Sequence, residues 1–143
     1  MFRQITSGEI RIPAFQREFV WREKQMIELL DSVIEGFPIG SILLWGVDKK
    51  MLEIAPSETT SFPVLTETFP TSYVLDGMQR LSTLYGAFHY GISTNDHRFN
   101  IAYNLELNSF YHDEDGQLPL GPTVPLSALF TPRLLLEHQA RIS

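Results

Sequence analysis

Apolar residues recur along this chain at two periods, and the switches between them mark out its elements. From Glu23 to Glu35, Met26, Ile27, Leu30, Val33 and Ile34 fall at i, i+1, i+4, i+7 and i+8, one face of an amphipathic helix that Gly36 and Pro38 stop. Ser41 to Val47 is a continuous apolar run too short for a helix, which predicts a strand buried on both faces at the centre of a sheet. Tyr73 to Leu75 is a second short run, and it leads directly into a helix with Met78, Leu81, Leu84, Tyr85 and Phe88 on one face, ended by Gly91. Phe99, Ile101, Tyr103, Leu105 and Leu107 alternate with Asn100, Ala102, Asn104 and Glu106, the period of a half-buried strand whose expected partner is Phe110 to His112.

The connecting segments carry weaker signals. Ile10-Arg11-Ile12 predicts a short strand, broken at Pro13 into an extended arm that runs to Trp21. Residues 48 to 72 collect polar residues and prolines and read as a long loop with at most one hairpin. Asp113-Glu114-Asp115-Gly116 fits a hairpin turn, because it lacks the spacing and terminal glutamate of an EF-hand loop. Thr131-Pro132 has an N-cap and N1 signature, and 133 to 142 reads as helical until the sequence stops, so the natural protein is expected to be longer. The elements amount to one α+β domain over residues 1 to 143, a small mixed sheet flanked by helices.

Composition narrows the chemistry. The chain has no cysteine, which removes disulfides, thiolate metal sites and thiol catalysis. No apolar run approaches the ~18 residues of a bilayer span and no signal-peptide h-region follows Met1, so a soluble, cytoplasmic protein is expected. The net charge of −6 has the wrong sign for a duplex-binding stripe. Arg11, Arg17, Arg22 and Arg80 nevertheless gather around two short motifs, and a guanidinium can grip a phosphate bidentately whatever the overall charge. His89, His97, His112 and His138 are scattered without paired metal spacing, so no metal site is expected from the protein alone.

The first motif is Tyr73-Val-Leu-Asp-Gly-Met-Gln-Arg80, where an apolar run stops at Asp-Gly and a helix begins with an arginine in its first turn. A helix N-terminus carries about half a positive charge and free N–H groups, so a cation there stands against the field unless an anion lies between them. Capping accounts for the same residue types: Asp76 as N-cap, Gln79 as its capping-box partner, and an Asp76–Arg80 pair at i, i+4. The second motif, Pro13-Ala-Phe-Gln-Arg-Glu-Phe-Val-Trp21, sets an amide, a guanidinium and aromatic rings in a non-helical arm, the residue types that hold a base and a phosphate. A hydrophobic arm packed on the core explains it as well.

The two motifs in order, with Ile12-Pro13, Gln16-Arg17, Trp21, Gly36-Phe-Pro-Ile-Gly-Ser41, Ile42-Leu-Leu-Trp45, Leu75 to Leu84, Tyr103-Asn-Leu105 and Val124-Pro-Leu126, resemble the N-terminal domain of GmrSD-type modification-dependent restriction systems. The resemblance covers nearly the whole chain. It implies a fold similar to the ParB and sulfiredoxin superfold, whose G-x-x-R phosphate motif is matched by Gly77, Met78, Gln79 and Arg80. It further implies nucleoside triphosphate binding and hydrolysis with Mg2+, regulating the cutting of modified foreign DNA by a C-terminal or separate nuclease domain. The expected catalytic residues are Asp76, Gln79 and Arg80; the expected nucleotide contacts are Gln16, Arg17, Gly77, Gln79, Arg80, Ser82 and Thr83. Gln79 is expected to position water and Asp76 to reach magnesium through a water. The family motif reads Asp-Gly-Gln-Gln-Arg, and Met78 replaces its first glutamine: the loss matters if that side chain faces the ligand and is harmless if it faces the core. Two alternatives stand beside this reading, a nucleotide-switched interaction module without turnover and a ParB-like DNA-binding or nuclease domain.

Overall fold

A computed structural model of the chain describes residues 1–16, 18–38, 40–56, 60–63, 65–113 and 122–130. Arg17, the 113–116 turn beyond Asp113 and the 133–142 helix expected from the sequence lie outside the described residues. In chain order the elements are α1 (Phe2–Thr6), β1 (Ile10–Arg11), α2 (Glu23–Glu35), β2 (Leu43–Val47), β3 (Thr71–Asp76), α3 (Met78–Phe88), β4 (Ile101–Asn104), β5 (Ser109–His112) and β6 (Thr123–Pro125), with short 3-10 turns at His97–Phe99 and Leu126–Phe130. The fold is α+β.

The strands form two three-stranded sheets, ordered β1-β3-β2 and β5-β4-β6. The first is mixed: β1 runs parallel to β3 with Arg11 opposite Tyr73, and β2 runs antiparallel with Trp45 opposite Tyr73. The second is antiparallel throughout, with Tyr103 opposite Phe110 and opposite Val124. The pairing expected between the alternating segment and Phe110 to His112 is therefore present.

α2 occupies the residues its periodicity predicts. Gln25 accepts the Arg22 backbone N–H at 2.9 Å at its start, and Gly36 at φ 77° turns the chain at its end. Two expectations need correction. β2 is an edge strand among the described residues, with Leu43 57% and Trp45 39% exposed, and the centre of the sheet is β3, where Tyr73 and Val74 are fully buried. An apolar run looks the same in sequence whether a neighbour covers it or not. The alternating strand is also shorter than its pattern: Phe99 lies in a 3-10 turn, and Leu105 and Leu107 pass into an exposed turn.

α3 is the spine between two cores. Met78, Leu81 and Tyr85 pack with Ile5, Ile10, Ile12 and Val74 beneath the mixed sheet. Ala87 joins Phe19, Met26, Leu30, Phe99 and Ile101 beneath the other. Its N-terminus is thereby fixed at the C-terminal end of the central strand, one residue beyond Asp76.

Candidate functional site

The step from β3 into α3 is taken by Gly77 alone. It sits at φ 93°, a left-handed conformation that costs glycine little, and it is the N-cap of α3. The expected capping role of Asp76 is thus displaced: Asp76 precedes the cap, is exposed, and its carboxylate makes no hydrogen bond or ion pair among the described residues. The Asp76–Arg80 pair does not form, and Gln79, now the second helical residue, cannot close a capping box.

Gln79 and Gln16 instead bind the arm to the sheet and helix. Gln79 Oε1 accepts the backbone N–H groups of Val20 at 3.0 Å and Trp21 at 3.3 Å, and its Nε2 donates to the Glu18 carbonyl at 3.1 Å. From the arm, Gln16 Nε2 donates to the carbonyls of Val74 and Leu75, both at 2.9 Å, just beyond the last residue of β3 that β1 pairs. Phe19, between them, is 2% exposed against Phe99, with ring centres 4.8 Å apart. The arm is a wall built from side chain to main chain bonds. Gln79 gives both acceptor sites of its amide oxygen and a donor to that wall, and its Nε2 also lies 3.5 Å from Met78 Sδ, so the amide expected to position water is already engaged.

Arg80 is held from the opposite side. Its Nη2 donates to the Ser41 carbonyl at 2.7 Å, its Nε is buried without a partner, and no carboxylate pairs with it among the described residues. With the first-turn N–H groups of α3 lacking intrahelical acceptors, two positive features point to one place. Gln16, Trp21, Asp76, Gly77, Met78, Gln79 and Arg80 line a cleft of about 270 Å3 there. A wider depression of about 600 Å3 at the other end of the mixed sheet is lined, among the described residues, by Glu9 and Asp48 and by no basic residue, which disfavours anions.

The remaining expected residues divide. Met78 borders the cleft but is 4% exposed and packs with the core cluster, a position where methionine is an apolar filler. Ser82 and Thr83 are fully buried; Thr83 Oγ1 donates to the Gln79 carbonyl at 2.9 Å, and neither hydroxyl reaches the cleft. Arg11 is also withdrawn, 7% exposed and donating to the carbonyls of Gly8, Leu65 and Thr66. Sequence reasoning missed Ser41 and Arg98, which act through pairings 39 and 79 residues apart that no local pattern signals.

For Mg2+, Asp76 is one exposed oxygen donor at the cleft mouth, which fits an ion carried largely by substrate phosphates. No group of three or more His, Cys, Asp or Glu side chains among the described residues could hold an ion by itself. No helix among them is long and apolar enough to cross a membrane.

Comparison with known proteins adds two matches. The family model described as GmrSD restriction endonuclease, N-terminal domain, matches residues 1–121. An uncharacterized protein of Methanocaldococcus jannaschii is 32% identical over 94 residues, covering 62% of this chain and 16% of that protein's length. No solved structure matches the chain.

Proposed function

The chain belongs to the GmrSD restriction endonuclease N-terminal domain family, and from that premise we propose that its Asp76–Arg80 turn binds the phosphates of a nucleoside triphosphate and so regulates a restriction system. The observation that carries the proposal is Arg80: a guanidinium in the first turn of α3, without a carboxylate partner among the described residues, beside free helix N–H groups and a glycine N-cap. Such a group is stabilised by an anion. Gly77 lets the ligand approach the backbone, and Trp21 offers the cleft a ring on which a base can stack. Asp76 would be the residue to hold a magnesium ion bound with the nucleotide, and the ion would supply charge neutralisation there. Gln16, whose Oε1 has no partner among the described residues, is the remaining polar wall.

The partner of this domain is proposed to be a nuclease domain, C-terminal or separate, that meets modified foreign DNA while this domain meets nucleotide. A ParB-like fold is proposed on the same resemblance. Direct DNA cleavage by this chain is disfavoured by the −6 charge and by the absence of a metal-ligand cluster among the described residues.

One observation favours the switch over the hydrolase. The Gln79 amide is engaged by the arm and by Met78 Sδ, and Met78 is buried, so among the described residues Asp76 and Gln16 are the polar side chains beside Arg80 left to orient an attacking water. Calorimetric titration with magnesium GTP, ATP and CTP, beside Arg80→Ala, tests the reading. The variant is expected to lose about tenfold or more in affinity, the worth of a charged hydrogen bond. Phosphate release from the best binder then separates turnover from occupancy. A folded wild-type protein that binds none of the three would overturn the proposal.

A further inference from the structure

The direction in which Arg80 points is set by a residue on another segment, the glycine that precedes β2. Gly40 stands at φ 90°, and a Cβ built on it would lie 2.5 Å from Arg80 Nη1 and 3.1 Å from Cζ. The next residue, Ser41, supplies the carbonyl that takes Nη2 at 2.7 Å. The turn therefore lies close against the guanidinium at Nη1 and Cζ and accepts a hydrogen bond from Nη2. Gly77 likewise leaves 3.2 Å between its own virtual Cβ and Nη2. Two glycines in left-handed conformations, 37 residues apart in sequence, thus both stand within a side chain's reach of the same guanidinium.

We infer that Gly40 is a positioning residue for the phosphate site: its missing side chain and the Ser41 carbonyl together hold Arg80 in the orientation that serves a bound triphosphate. This rests on the phosphate-binding reading of Arg80. The physical reason is that a free arginine side chain samples many rotamers, and fixing it before the ligand arrives removes that entropy from the cost of binding. Among the described residues the bond to Ser41 is the one hydrogen bond the guanidinium makes, so the clamp orients the group and leaves Nη1 protons unspent. A methyl group at Gly40 meets the end of a flexible side chain rather than backbone, so the response to the collision is displacement of the guanidinium.

The experiment is a double-mutant cycle with Gly40→Ala, Arg80→Ala and the double variant, each titrated with whichever of magnesium GTP, ATP or CTP binds the wild type tightest. Gly40→Asn is carried in parallel, since asparagine tolerates left-handed backbone while bringing the same Cβ. Each Gly40 variant is expected to weaken binding about tenfold in the wild-type background and less than about twofold where Arg80 is already alanine. Urea unfolding of the same variants is expected to show a larger loss from Gly40→Ala when Arg80 is present than when it is absent. Equal losses in both backgrounds, in affinity or stability, would overturn the positioning role. If Arg80→Ala binds as the wild type does, the phosphate reading itself falls; if Arg80→Ala loses affinity and both Gly40 variants keep it, the inference alone falls.

Discussion

Arg98 donates Nη1 to the carbonyl of Phe19 at 2.7 Å, and its guanidinium carbon lies 5.1 Å from the centre of the same residue's ring. One side chain thus holds Phe19 by backbone and by face. Because Phe19 lies between Gln16 and Trp21, two residues of the cleft, Arg98 fixes one wall of the site without entering it. Arg98→Ala is expected to destabilise the fold by about 1–2 kcal/mol, combining a charged hydrogen bond with a cation–π contact, each discounted for the partial exposure of Arg98. Urea denaturation at neutral pH measures it, and an unchanged midpoint would show that Phe19 is held by packing alone.

Asp96 in turn holds Arg98, accepting Nε on both carboxylate oxygens, at 3.1 and 2.9 Å, and Nη2 at 2.6 Å. Burial pushes the Asp96 carboxyl up, but the hydrogen bonds from the Arg98 side chain and backbone outweigh it and hold the group below its ordinary value. Since the folded value lies below the unfolded one, the pair stabilises the protein above the unfolded carboxylate range. That contribution is lost as pH falls through the folded value. The stability gap between wild type and Asp96→Asn should accordingly narrow on titration from pH 6 towards pH 2.5, as read by urea midpoints. A gap independent of pH would mean that the ion pair contributes nothing beyond hydrogen bonding.

Gln79 joins three backbone groups of the arm to the start of α3. Gln79→Ala leaves two N–H groups and a carbonyl to find water, with an expected cost of about 1–3 kcal/mol. Gln79→Glu preserves the acceptor for Val20 and Trp21 but sets a carboxylate oxygen against the Glu18 carbonyl, so it should fall between alanine and wild type in urea midpoint. Nucleotide affinity should follow the same order, because the residue acts through the wall. Full stability with lost affinity in Gln79→Glu would instead return Gln79 to direct ligand contact.

What the sequence makes legible here is what local spacing determines. The period of Met26 to Ile34 and the glycine at position 36 define α2 to its ends, and the abrupt passage from Leu75 through Gly77 places a turn, a helix start and Arg80 together. The strand β2 is misjudged because coverage of an apolar run is a property of its neighbours. Gln79 is misjudged for a related reason: its partners lie 58 to 61 residues away, and an amide two residues past Gly77 looks in sequence like a cap or a ligand contact. Ser82 and Thr83 follow Arg80 closely in sequence, yet the turn of the helix carries both into the interior.

Gly86 is a case where helix propensity and packing disagree in sign. It lies inside α3, where alanine is normally favoured over glycine by about 1 kcal/mol, so propensity alone predicts that Gly86→Ala stabilises. The helix, however, passes directly against Phe99: a Cβ at this position would overlap the ring, 2.6 Å from its Cγ, and stand 2.8 Å from the Ser61 Cβ. Phe99 is fully buried and packed at a 50° tilt against the Phe19 ring, so it cannot yield without moving the arm, and Ser61 is anchored by its bond to the Ser82 carbonyl at 2.7 Å. Overpacking of this kind costs about 1–3 kcal/mol, enough to reverse the propensity term. Gly86→Ala is therefore expected to destabilise, and Phe99→Leu in the same molecule should recover part of the loss by vacating ring volume. Urea midpoints of the two single variants and the pair decide it: an additive pair would show that the helix shifts away from Phe99, and that the arm and the cleft wall it forms are not rigidly tied to α3.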